Sequence, residues 1–227
     1  AHLERMGSLE NIATTKGAIL AGVADGGWAI YPADSEFTPL WREMAGSARR
    51  LEFGFDSSAA VHASDLQLDT GSSTFTLHID GHSTEIYLPL PGRHNVANAM
   101  AAAAAAVAAG LELSKVPAGL AAVPPQVGRL SRLSGRDGIA LIDDSYNANP
   151  ASVRAAIDVL AAEDGRRIAV LGTMAELGDA AARLHAEVGA GLGAIRVMGD
   201  LLGRSGLPDK ARADLSSRVA DKTGGLP

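Results

Sequence analysis

The sequence predicts an α/β protein built in two parts, and three observations carry that reading. Between 50 and 90, apolar residues recur at every second position, the pattern of half-buried strands. At 95–109 an alanine-rich run of high helix propensity follows a Pro-Gly turn. Beyond 139, short apolar runs alternate with stretches of helical period, the order of a parallel sheet joined by crossover helices.

The first element is a helix over 8–20. Ser8 is its N-cap candidate, and Glu10 sits favourably in the first turn. Leu9, Ile12, Ala13 and Leu20 recur at helical spacing and form the expected buried stripe. Lys16 falls on that stripe. Either its stem is buried while the ammonium reaches water, or it is modified or paired near a metal or phosphate. Gly26 and Gly27 end the unit, and 28–31 reads as a short strand stopped by Pro32. The loop at 33–35 lies at that strand's C-terminal end, and 38–45 reads as a helix. In the period-two region Leu51, Phe53 and Phe55 alternate, then Leu66 and Leu68, then Phe75, Leu77 and Ile79, then Ile86 and Leu88. Turns at 69–71 and 80–81 separate these runs, which predicts antiparallel strands with 74–79 and 84–89 as a hairpin.

The alanine-rich helix opens with Asn95 and Asn98, three apart and so on one face. Two readings fit. Asn is a preferred N-cap, and its paired donor and acceptor also suit the edge of a flat heterocycle such as adenine. Gly110 stops this helix and a shorter one follows at 114–122. Two prolines in the VPPQVG run at 123–128 mark the boundary between the parts. The strand at 139–142 then ends in the polar cluster 143–149. Asn149 and Pro150 read as N-cap and first residue of a helix whose apolar face is Val153, Ala156, Ile157 and Leu160. A strand at 167–171, a loop at 172–178, a helix carrying His185 and a strand at 195–198 complete a three-stranded parallel sheet. Ligands of such sheets sit beyond the carboxyl ends of the strands, where 143–149 and 172–178 both fall. The polar tail over 204–227 is expected to be poorly ordered.

Composition narrows the function classes. The 227 residues are 47% hydrophobic and 20% charged, with a net charge of −6, which argues against nucleic-acid partners but leaves room for a local phosphate pocket. There is no cysteine, hence no disulfide framework and no thiolate zinc site, in keeping with a cytoplasmic setting. The longest apolar run, 99–110, is too short to span a bilayer, so no membrane insertion is expected. The first methionine is Met6, and the chain is expected to be incomplete at both ends.

Three blocks together carry a family resemblance: HLERMGS at 2–8 with Lys16 beyond it, LPGRHNVANA at 90–99, and LIDDSYNANP at 141–150 followed by VLGTMAELG at 170–178 and LHAEVG at 184–189. In this order they resemble the Mur ligase family of bacterial cell-wall synthesis, over roughly 1–199. The resemblance implies residues 1–124 as the later part of a central ATPase domain and 125–227 as a truncated Rossmann-like C-terminal domain. It implies an ATP-dependent amide-bond ligase with ATP and Mg²⁺ as cofactors, acting as a monomer. The third block looks most like members that join D-Ala-D-Ala to a UDP-N-acetylmuramoyl tripeptide through an acyl phosphate. His2 is similar to the family's metal-ligand histidine and Lys16 to its carbamylated lysine. Asn95 and Asn98 resemble the adenine-side amides, Arg129 the phosphate-contacting hinge arginine, and Asp144 the ribose-contacting acid. Tyr146, Asn147 and Asn149 line the same strand end as expected substrate contacts. His94, His185 and Glu176 are given no role. The 227 residues contain no G-x-x-G-K-[ST] phosphate loop, so this chain alone is expected to be inactive. Pro32 stands where the family often has Asn, and Thr173 where the D-Ala-D-Ala-joining members usually have Asp. The alternatives are another ligase on the same scaffold, acting on a different peptide or on folate, and a non-catalytic nucleotide-binding module.

Overall fold

A computed structural model describes residues 3–135, 138–192 and 195–198. The short helix α1 (Leu3–Met6) leads into α2 (Leu9–Ala21), capped as expected by Ser8, whose hydroxyl accepts from Asn11 N at 3.1 Å. Helix α2 lies tightly on α3 (Thr38–Met44). A Cβ on Gly17 would stand 2.7 Å from Met44 Sδ and 2.8 Å from Trp41 Cδ1, and Trp41 Nε1 donates to Ala13 O at 3.0 Å. The buried stripe of α2 is therefore Ala13, Gly17 and Leu20. This corrects the expectation for the helix. Its contact with α3 is narrow and made by small residues, so Leu9 remains 54% exposed and Lys16 lies on the open flank.

One five-stranded sheet follows in sequence order: β1 (Trp28–Pro32), β2 (Arg49–Gly54), β3 (Val61–Leu68), β4 (Ser73–Ile79) and β5 (His82–Leu88). The expected hairpin forms between β4 and β5, with Ser73 opposite Leu88 and Ile79 opposite His82. The expectation of antiparallel pairing throughout 50–90 holds only for β3, β4 and β5. Strand β2 is parallel to β1, because α3 carries the chain back to the same end, and it is also parallel to β3. The second parallel pairing is possible across so short a connection because only Phe53 and Gly54 overlap Val61 and His62. The chain steps sideways there and continues in the same direction, so no full crossover is needed.

Strand alternation aims Leu51, Val61, Ala63, Phe75, Leu77, Ile86 and Leu88 at one face. There α4 (Arg93–Ala108) packs Val96, Ala99, Met100, Ala103 and Ala104, and α5 (Val116–Ala121) adds Val116 and Leu120. Alanine keeps α4 slim enough to lie close on the sheet. Around β1, a separate cluster of Leu20, Ala29, Tyr31 and Ala45 joins α2 and α3 to the opposite face.

The second unit has its own core of Ile157, Ala169, Met174, Leu177, Val188, Leu192 and Ile195. It comprises β6 (Ser131–Ser134), β7 (Ala140–Asp143), α6 (Pro150–Ala161), β8 (Ile168–Val170), α7 (Ala181–Ala190) and β9 (Arg196–Met198). Asn149 caps α6 in a reciprocal box with Ser152, as the sequence predicts. Among the described residues the three-stranded parallel sheet does not form. Strands β8 and β9 pair in parallel, while β7 pairs antiparallel with β6. Strand β6 escapes a periodicity reading because its four residues, SRLS, hold one apolar side chain. Among the described residues no helix is long and apolar enough to cross a membrane. The expectation of disorder over 204–227 falls outside the described residues.

Candidate functional site

Helix α4 begins at a glycine, not at an asparagine. Gly92 is the N-cap, at φ 93° and ψ 147°, and its carbonyl accepts from Asn95 N and Val96 N at 3.0 and 3.3 Å. The capping reading of Asn95 and Asn98 therefore does not describe how the helix starts. Asn95 Nδ2 instead reaches back to Pro91 O at 2.7 Å, and Asn98 Nδ2 donates to Asn95 Oδ1 at 3.4 Å. The two amides are aligned on one face of the first two turns, Asn95 half-buried and Asn98 exposed. Beside them the Arg93 guanidinium lies 3.5 Å over the Phe55 ring. Burial holds the His94 imidazole below its ordinary pKa, with the carboxylate of Asp158 on α6 opposing.

A second cluster forms where the linker meets the end of β7. Tyr146 N donates to Gly128 O at 3.0 Å, and Gly128 N donates to Ser131 Oγ at 3.2 Å. Gly128 has φ 73°, and a Cβ there would come within 3.1 Å of Tyr146 N, so the close approach of the two segments needs glycine. The loop presents the Arg129 guanidinium 4.3 Å over the Tyr146 ring and turns Leu130 N toward Asp144 Oδ1, at 3.1 Å. Leu130 adopts φ 51° to do so. Thus Arg129, Asp144 and Tyr146 are brought together. Asn147 is exposed beside them, and the side-chain oxygen Oδ1 of Asn149 accepts from Ala151 N and Ser152 N at the cap of α6.

Burial pushes the Asp144 carboxyl above the ordinary aspartate range and Asp143 adds to this, while Leu130 N–H and Arg129 pull it back. The folded state thus holds a proton on Asp144 more tightly than the unfolded chain. Its contribution to stability falls as pH rises from the ordinary aspartate value through the raised one. Asp144→Asn keeps the acceptor for Leu130 N–H and removes the charge. The expected result is equal or greater thermal stability at pH 7 with little difference at pH 3, measured by melts across that range.

A third contact joins the N-terminal helix to the 172–178 loop. Glu4 N donates to Glu176 O at 3.2 Å, and Arg5 Nε lies 3.9 Å from Glu176 Oε1. The two units also meet where Gly92 faces Val159 and where Arg132 Nε donates to Thr70 O at 2.8 Å while its guanidinium pairs with Glu163. His2 lies outside the described residues, immediately before this contact. Lys16 is exposed on α2, and among the described residues no hydrogen bond connects it, Asn95 or Asn98 with the Arg129–Asp144 cluster. Sequence reasoning noted Gly92, Gly128 and His185 but gave none of them a role at the site. The signal for the glycines was their place directly before Arg93 and Arg129 at a change of element.

Polar strand ends and helix starts facing the junction of two α/β units place the chain among α/β proteins whose ligands bind at strand ends and between units. The chain belongs to the Mur ligase family. Residues 1–106 match the Mur ligase middle domain, and 128–220 match the Mur ligase, glutamate ligase domain. It is 40% identical over 190 residues to the UDP-N-acetylmuramoyl-tripeptide--D-alanyl-D-alanine ligase of Escherichia coli (strain K12), covering 83% of this chain and 42% of that protein. The protein of the same description from Mycobacterium tuberculosis (strain ATCC 25618 / H37Rv) is 38% identical over 197 residues, 83% of this chain and 38% of its own length. A crystal structure of MurF from Acinetobacter baumannii superposes with a TM-score of 0.86 at 31% identity, over 98% of this chain and 52% of that one. The chain thus spans less than half the length of the curated relatives it matches.

Proposed function

We propose that the chain is part of an ATP-dependent ligase that joins D-Ala-D-Ala to a UDP-N-acetylmuramoyl tripeptide in peptidoglycan synthesis. The observation that carries the reading is the 40% identity to a ligase of that description across 83% of the chain. Residues 1–124 are the later part of its central ATP-binding domain and 125–227 belong to its C-terminal domain. The ligase works in the cytoplasm as a monomer.

The described residues suit the nucleotide. Asn95 and Asn98 offer aligned amide donors and acceptors for a base edge, and Asp144 offers a carboxylate for ribose hydroxyls. Arg129 has an exposed guanidinium on a ring platform at the hinge, where a fork of donors fits phosphate. Tyr146 and Asn147 stand exposed at the same strand end for the peptide, with the half-buried Asn149 beside them. When bound, ATP supplies the phosphoryl group that converts the tripeptide carboxylate to an acyl phosphate, which the D-Ala-D-Ala amine attacks. Positioning and charge neutralisation are what such a transfer requires of the protein. Mg²⁺ is a different case. Among the described residues no group of three or more His, Asp or Glu is placed to hold a metal, so no step is routed through it. His2 and Lys16 remain its proposed ligands.

The test is D-Ala-D-Ala-dependent ADP release from ATP and the UDP-N-acetylmuramoyl tripeptide. A complete ligase that includes a phosphate loop together with these residues turns over. The 227-residue chain does not, because its sequence holds no G-x-x-G-K-[ST] loop to cradle the γ-phosphate. Turnover by the complete ligase with another amino acid and not with D-Ala-D-Ala overturns the substrate assignment.

A further inference from the structure

His185 takes no part in the reading above, yet it is only 5% exposed and both of its ring nitrogens are committed. Met174 N–H donates to Nε2 at 3.0 Å. A ring nitrogen that accepts a hydrogen bond carries no proton, so the proton sits on Nδ1, which donates to Ala181 O at 2.7 Å. The first bond anchors the 172–178 loop from inside the second unit, where Met174 and Leu177 are each 3% exposed against Val188. From that anchor the loop turns sharply outward, with Glu176 at φ 59° and Gly178 at φ 56°. Its outer side meets the first unit. Glu176 O accepts from Glu4 N, the Glu176 carboxylate faces Arg5, and a Cβ on Gly178 would lie 3.6 Å from Glu4 Cα.

We infer that His185 is a positioning residue, fixed as its Nδ1–H tautomer, that holds the 172–178 loop in the shape that docks on α1 and so sets how the two units close. A histidine that merely filled the core could be replaced by any side chain of similar volume. Here the loop's shape depends on one acceptor aimed at Met174 N–H, eleven residues back in the chain. The inference rests on the proposed function only for what closure accomplishes, namely bringing the loop to the segment that follows His2.

The 227-residue chain, labelled with ¹⁵N on histidine, tests the first half by NMR. His185 is expected in the Nδ1–H form, whereas a free imidazole prefers Nε2–H. Finding Nε2–H, or both nitrogens protonated, at pH 7.5 overturns the inference without any variant. Cross-relaxation between protons of Glu4 and Gly178 tests the second half. His185→Gln, whose amide oxygen can accept from Met174 N–H, keeps that cross-peak. His185→Leu, of similar bulk and with no acceptor, loses it while signals of α4 and the five-stranded sheet stay in place. A cross-peak unchanged in His185→Leu overturns the docking role. In the complete ligase, His185→Leu lowers turnover by about 10²-fold, the scale of a misplaced site, and His185→Gln restores most of it. If the wild-type ligase shows no D-Ala-D-Ala-dependent turnover, the functional reading fails while the NMR result still decides this one.

Discussion

Gly92→Ala should be among the most destabilising single substitutions in the first unit, lowering stability by about 2–6 kcal/mol. Two costs add. Gly92 sits at φ 93° and ψ 147°, a region that side-chain-bearing residues enter only under strain of about 1–3 kcal/mol. The added methyl would also stand 2.8 Å from His94 Cε1 and 3.3 Å from Val159 Cγ2, an overlap worth about 1–3 kcal/mol. His94 is half-buried and Val159 is buried, so the methyl enters a packed junction. His94 follows the first residue of α4, and Val159 is 7% exposed on α6. The substitution therefore acts on the start of α4 and on the junction between the units at once. Thermal and denaturant melts should show an early loss of the first unit together with weaker protection of α6. A midpoint within a degree of wild type would mean that the turn can relax and that the start of α4 does not need glycine at 92.

Much of this architecture can be read from the residues, and the failures have physical causes. The β4–β5 hairpin, α4 and the Asn149 cap follow from local rules: strict alternation, alanine content, and an Asn-Pro pair before a helical face. Parallel pairing of β2 with β3 could not be seen, because alternation reports which face a side chain takes and says nothing about the direction of the neighbouring strand. The stripe on α2 was misjudged for a related reason. Helical period located the correct side, but the width of the buried strip is set by the partner, and α3 covers only Ala13, Gly17 and Leu20. Strand β6 is short and polar, so its antiparallel pairing with β7 left no periodic signal in the residues. For the site, motif order identified Arg129, Asp144 and Tyr146, which do converge. It could not supply the means of convergence, namely the positive φ of Gly128 and Leu130. His185 was invisible as a positioning group because its partner is a backbone amide, which leaves no trace in side-chain spacing.

Lys16→Ala in the complete ligase should reduce turnover by about two orders of magnitude, several kcal/mol of barrier, while leaving the fold intact. The second half of that expectation follows from position. Lys16 is exposed on α2, outside the Ala13–Gly17–Leu20 contact with α3, so truncation removes no packing. A helical alanine also costs nothing in propensity. The first half follows from the proposed role. Carbamylation would turn an ammonium into an anionic oxygen group, which an alanine side chain cannot supply. Three results together would establish it. Small carboxylates such as acetate should partly restore the alanine variant, because they return an anionic oxygen to the vacated space. Stripping dissolved CO₂ should slow the wild type and leave the variant unaffected. Lys16→Arg should behave like Lys16→Ala, because a guanidinium keeps the positive charge and does not take up CO₂. If all these measurements match wild type, Lys16 is a solvated surface lysine, and the metal site must be built from residues other than those the motifs indicate.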